Sequence, residues 1–206
     1  MSNFDSILEN VFDFFTNHKR KLITGLLIIC CIYCLLLRSN LNPFVYLNKV
    51  KITEDEKKKI LDLSNKVRKE CSSELQDLEW DEELEEFATK TATYLAHARG
   101  CKLEHTHSYK ELNPPAGENL AMSKNIPDAY AIKTAINAWA GEGYQGTFNH
   151  YSAMNWKSAN KIGCGISKSS CGTVISCNYR STAGGALPNQ QGFFKDNVIC
   201  SNPIKV

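Results

Sequence analysis

Sixteen consecutive residues, Leu22 to Leu37, carry no charge, and they divide the nine cysteines of the chain into three inside the run and six after it. Whether those six are thiols or disulfides depends on which side of a membrane they reach, so this run constrains every later inference. Lys19, Arg20 and Lys21 precede it and Arg38 follows. At roughly 1.5 Å per residue the run makes about 24 Å of helix against a hydrocarbon core of about 30 Å, so it spans with its flanking cations reaching to the interface. An uncleaved signal anchor is favoured because no small-x-small site follows, only Leu37-Arg38-Ser39. Signal-peptide cleavage and secretion is the alternative. The basic residues ahead of the run place the N-terminus in the cytosol and the remainder in the lumen or outside the cell. The chain therefore reads as a cytosolic tail (1–21), a membrane-spanning signal anchor (22–37), a stalk (38–53) and a folded domain (54–206). Cys30, Cys31 and Cys34 act as small apolar residues within the span, and palmitoylation is the other reading.

The six remaining cysteines, Cys71, Cys101, Cys164, Cys171, Cys177 and Cys200, suit three disulfides in an oxidising compartment. Charged residues at 22%, hydrophobic residues at 43% and a net charge of +2 exclude a disordered chain and a strongly basic nucleic-acid binder. No nucleic-acid partner is expected.

Thr53 with Glu56 three residues on is a capping-box signature, and it opens a helix running to about Leu75 with Ile60, Leu63 and Val67 on one face. Asp81 precedes a second periodic stretch through Leu84, Phe87, Ala88, Thr91, Leu95 and Ala98, which Gly100 ends. The acidic run from Glu74 to Glu86 reads as a helix N-terminus with a solvated outer face. Pro114, Pro115 and Gly117 break the chain before a short strand at about 119–122. Pro127 then opens a third helix through Tyr130, Ile132, Ala135, Ile136 and Trp139. Lys161 to Ser167 and Thr173 to Tyr179 flank a Ser-Lys-Ser-Ser-Cys-Gly turn, which predicts an antiparallel hairpin. Helices first and strands later give an α+β domain. Cys164 and Cys177 lie symmetrically about the hairpin centre, so they pair across the strands, and Cys171 near the tip must reach elsewhere.

His18 is cytosolic and His97 lies in the second helix. His105, His107, Glu118, Glu142 and His150 are the residues with chemistry to offer, since imidazoles and carboxylates ligate zinc, although no short metal-binding spacing joins them. Ser108 and Ser152 adjoin histidines, but in a segment read as extended, neighbouring side chains point to opposite sides and supply no nucleophile.

Taken together, His107-Ser108, Gly117-Glu118-Asn119-Leu120, Trp139-x-x-Glu142, His150-Tyr151-Ser152-Ala153-Met154-x-Trp156, Gly163-Cys164-Gly165 and Cys177-Asn178-Tyr179 resemble the CAP superfamily. This is the group of cysteine-rich secretory, antigen 5 and pathogenesis-related proteins, also called SCP or TAPS, and the match runs over about residues 55 to 200. The resemblance implies a three-layer α-β-α sandwich with a small antiparallel sheet. It also implies a cleft where His107, Glu118, Glu142 and His150 hold a divalent cation such as Zn²⁺, His107 being preferred to His105 by its His-Ser position. The family pattern pairs Cys101 with Cys171 and Cys164 with Cys177, leaving Cys71 with Cys200. Trp139, Tyr151, Trp156 and Tyr179 are expected in the core. The function implied is a membrane-tethered, non-enzymatic binding module, luminal or extracellular, for a lipid or sterol or for a protein partner. A metal-dependent hydrolase working through metal-bound water and a pure interaction domain without cleft chemistry are the alternatives.

Overall fold

The computed structural model describes residues 52 to 200. The uncharged run at 22–37, the cytosolic tail and most of the stalk lie outside the described residues. Among the described residues, no helix is long and apolar enough to cross a membrane.

Helix α1 (Glu54–Cys71) starts at Thr53, whose hydroxyl accepts from the Glu56 amide while the Glu56 carboxylate accepts from the Thr53 amide. Both orphan donors of the first turn are thereby satisfied. It ends earlier than the sequence suggested, with Ser72 as its C-cap. A two-residue strand β1 (Glu79–Trp80) leads to α2 (Glu82–His97), capped by Asp81, whose carboxylate accepts from the Leu84 amide. A single turn α3 (Ser108–Glu111) precedes β2 (Gly117–Ser123), and α4 (Asp128–Gly141) follows Pro127. A five-residue helix α5 (His150–Met154), the long hairpin β3 (Ala159–Ser169) and β4 (Gly172–Ser181), and a turn α6 (Phe194–Asn197) complete the order.

The strands form one sheet in the order β1-β3-β4-β2. It is mixed rather than purely antiparallel: β1 runs parallel to β3, while β3 with β4 and β4 with β2 are antiparallel. The chain reaches β1 from α1 and leaves it into α2, and this crossover admits a parallel neighbour that no hairpin allows.

Alternation along β4 sorts the two faces. Ile175, Cys177 and Tyr179 join the core built on α1, α4 and α5, whereas Val174 packs with Leu120 and with Ala92, Leu95 and Ala96 of α2. The sheet thus lies between two helical layers. Contact with α2 is close because Gly163 and Gly165 present no side chain, and a Cβ at either would collide with the α2 backbone at Glu85 or Thr89. Trp139, Tyr151, Trp156 and Tyr179 are all buried, as expected.

Three buried cations, Arg68, Lys57 and Arg180, knit the layers. Arg68 of α1 is fully buried and donates to the carbonyls of Gln76, Met154, Trp156 and Ala159, at 2.7 to 3.0 Å. Burial pulls its guanidinium pKa down to about 10, still high enough to keep its charge at neutral pH. Lys57 pairs with Glu85 at 3.0 Å, and the Trp80 indole donates to the same carboxylate. Arg180 holds Asp81 and Glu83 at 2.9 and 2.7 Å. The acidic run is therefore only partly a solvated face, since these three carboxylates are committed to buried or half-buried cations.

The disulfides join Cys71 to Cys200, Cys101 to Cys171 and Cys164 to Cys177. Cys164 and Cys177 are direct register partners across the hairpin.

Candidate functional site: two imidazole–carboxylate pairs and a groove

The loop after Cys101 runs beside the start of β2, the edge strand next to β4. Glu118, its second residue, is nearly enclosed, with a side chain 4% exposed. Thr106 donates to it twice, through its amide at 2.9 Å and its hydroxyl at 2.6 Å. His105 adds a third bond from Nδ1 at 3.0 Å. A carboxylate can only accept, so Nδ1 carries the ring proton and Nε2 keeps the lone pair. Hydrogen bonding to Glu118 raises the His105 pKa above its ordinary value, with burial opposing.

Glu118 therefore takes His105, not His107, the opposite of the choice made from the His-Ser motif. The His107 carbonyl accepts from the amides of Lys110 and Glu111 and starts α3.

Glu142 is the C-cap of α4, and His150 opens α5 eight positions later. Asn149 caps α5 in a reciprocal box with Ser152, turning the chain so that the His150 amide and Nδ1 both meet the Glu142 carboxylate, at 2.8 and 2.5 Å. The Trp139 ring stacks on His150 at 6.0 Å between centroids. The segment from His150 to Met154 is thus helical, not extended. The Ser152 hydroxyl is engaged with Asn149 and Asn189.

The site residues accordingly come together as two pairs, His105 with Glu118 and His150 with Glu142. Asn119 donates to the His150 carbonyl at 3.0 Å while its neighbour Glu118 holds His105, and consecutive strand residues point to opposite faces. Among the described residues, no group of three or more His, Cys, Asp or Glu side chains suited to a metal ion is gathered. In each pair the carboxylate is bound to its own imidazole, the arrangement seen behind metal-ligating histidines rather than a shared four-ligand shell.

A groove of about 670 Å³ lies beside the first pair, between α2 and residues 104–112. Phe87, Tyr94 and Leu112 give it apolar surface. Glu83, Glu86, Lys90, Glu104, His105, His107 and Glu111 surround them. Most of these charges are already paired: Glu83 with Arg180, Glu86 with Lys90, and Glu104 with Arg99 and Lys102. Thr106 and Tyr94 escaped the sequence reading. Thr106 carries no metal-binding or catalytic signature, and Tyr94 marks itself only by sitting on the polar side of the α2 periodicity, 41% exposed.

The cysteine-rich secretory protein family, CAP, matches residues 61–179. The chain belongs to this family. Pathogenesis-related protein 1 of Arabidopsis thaliana is 31% identical over 109 residues, 50% of this chain and 63% of that protein. The probable pathogenesis-related protein CaO19.6200 of Candida albicans is 30% identical over 119 residues, 54% of this chain and 33% of the relative. The chain thus spans less than two thirds of either relative's length. The solved structure of BmVAL-1 is 20% identical, covers 68% of this chain and 82% of its own, and superposes with a TM-score of 0.51, a likeness of fold alone. Family membership agrees with the α+β architecture and with the three disulfides, and it is compatible with an extracellular or secreted location.

Proposed function

We propose that this CAP-family chain is a non-enzymatic binding module of the secretory route, tethered by residues 22–37, and that it takes a segment of a partner protein in the groove between α2 and residues 104–112. The lining of that groove carries the reading. A hydrocarbon ligand wants a predominantly apolar pocket with few polar groups, and seven ionisable side chains among the lining residues do not supply one. Aromatic anchors ringed by charged residues are instead the anatomy of a protein interface. The hydroxyls beside the two pairs are already engaged, Thr106 with Glu118 and Ser152 with Asn149 and Asn189, which counts against a serine or threonine nucleophile.

A lipid or sterol contact is the second reading, and a different observation favours it. Tyr144 and Phe148 pack on Phe194 at 6.0 and 5.4 Å, and with Phe193 they leave an exposed aromatic patch near the second imidazole pair.

The test is selection of a random displayed-peptide library on the full chain in an uncharged detergent. Enriched peptides should share basic and aromatic residues and lose about tenfold or more of their affinity to the Tyr94→Ala variant. No enrichment, together with saturable binding of labelled sterol or fatty acid that survives Tyr94→Ala, would transfer the function to the aromatic patch. The tether is checked separately: the chain should remain with membranes on alkaline carbonate extraction.

A further inference from the structure

Where β2 runs out and the β3–β4 hairpin turns, a second hollow of about 420 Å³ opens, away from both imidazole pairs. Its walls are the segment Ser123 to Ile126 and the hairpin tip from Lys168 to Thr173. These segments meet because Ser123 and Thr173 are register partners at the end of the β2–β4 ladder. The approach is tight: Gly172, at φ +143°, lies against the Ser123 carbonyl where a Cβ would not fit.

The chemistry of this lining is one-sided. Lys124, Lys168, Ser123, Ser169, Ser170, Thr173 and Asn125 are among its lining residues, the Ser169 hydroxyl being already engaged with the Cys171 sulfur, and none of the described lining residues is acidic. Hydroxyl, amide and ammonium donors without a carboxylate suit a ligand rich in acceptors and negative charge. One further observation points the same way. The Ser123 hydroxyl is buried and makes no hydrogen bond among the described residues, and a polar atom enclosed without a partner calls for an explanation. Ser123 is itself a lining residue of the hollow. Asn125 holds the turn open in the left-handed region at φ 59°, a conformation that asparagine tolerates better than most residues.

We propose that this hollow binds a tetrahedral oxyanion ester, the phosphate or sulfate group of a sugar-sized polar molecule. Lys124 and Lys168 supply charge, the Ser123 and Ser170 hydroxyls supply directed donors, and the volume beyond one oxyanion accommodates the group that carries it. The site is separate from the groove, so it stands whatever occupies that groove.

Calorimetric titration of the full chain in an uncharged detergent tests it, with glucose 6-phosphate, glucose 6-sulfate and glucose as probes. Both esters should bind saturably and glucose should not, and the tighter ester identifies which oxyanion the site prefers. Affinity should fall about tenfold or more in the Lys124→Gln, Lys168→Gln variant, in the same direction for Lys124→Gln alone, and with added salt. Lys195→Gln, an exposed cation elsewhere on the surface, should change nothing. The proposal is overturned if the parent binds neither ester, if glucose binds as well as they do, or if the double variant binds like the parent.

Discussion

Three donors surround the enclosed Glu118 carboxylate, and one of the three bonds it accepts comes from a group that titrates near neutrality. His105 has a raised folded-state pKa, so the stability it contributes is fully present below its unfolded value of about 6.5 and is lost as pH rises through the raised one. The Glu118→Gln variant removes that coupling. The stability deficit of the variant, read by denaturant unfolding, should be larger at about pH 5.5 than at about pH 8.5, and the His105 ring should titrate nearer 6.5 by NMR. A deficit independent of pH, with an unmoved titration, would mean that Thr106 alone organises Glu118. At this scale the sequence was legible in residue type but not in partner. Glu118, Glu142 and His150 could be nominated because their motif frames are distinctive. His105 and His107 sit two positions apart with equal chemistry, so residue type alone does not say which ring meets Glu118.

Elements with a strong local signal were readable before any tertiary structure. Thr53 with Glu56, Asp81 and Pro127 each announced a helix start, and the symmetric spacing about Ser170 announced the hairpin. Four elements were not readable, the turn α6 among them. The two residues of β1 are too few for alternation to show, and their parallel pairing depends on where the α1–α2 connection falls. The single turns of α3 and α5 are shorter than the period that reveals a helix, and the box closing α5 uses Asn149 and Ser152 instead of the usual threonine and glutamate. Layer spacing was also hidden, because nothing in the predicted strand says that Gly163 and Gly165 are where α2 crosses it. Their role predicts that Gly165→Ala costs about 3 kcal/mol or more by chemical denaturation, since its methyl meets the Thr89 backbone, which cannot step aside. Gly141→Ala, where a Cβ meets nothing within 4 Å, is the control and should be neutral or slightly stabilising.

For the molecule as a whole, the cysteine arithmetic carried furthest, since an even set of six on one side of the uncharged run yields the three bridges. The arrangement of the site carried least. Motifs ordered along the chain suggested one cluster of four, whereas the pleat of β2 sends Glu118 and Asn119 to opposite faces and leaves two pairs. The bridges should differ in worth, because a cross-link restricts the unfolded chain in proportion to the logarithm of the loop it closes. Cys71–Cys200 spans 129 positions and Cys164–Cys177 only 13, so replacing the first pair by serines should cost about 2 kcal/mol more than replacing the second, as read by denaturant midpoints at constant slope. Equal losses would show that the chain-entropy term does not govern here.

The bridge from Cys71 to Cys200 also determines how the domain meets mechanical load. It joins the end of the first helix to the last described residue. Tension applied between the two ends of the chain therefore passes through α1, across one sulfur–sulfur bond and out again, bypassing everything between. The sheet, both imidazole pairs, the groove and the hairpin-tip hollow lie on the slack branch of that circuit. A pull along the chain can unwind α1 and whatever precedes it, but it cannot draw out the binding surfaces while the bridge holds.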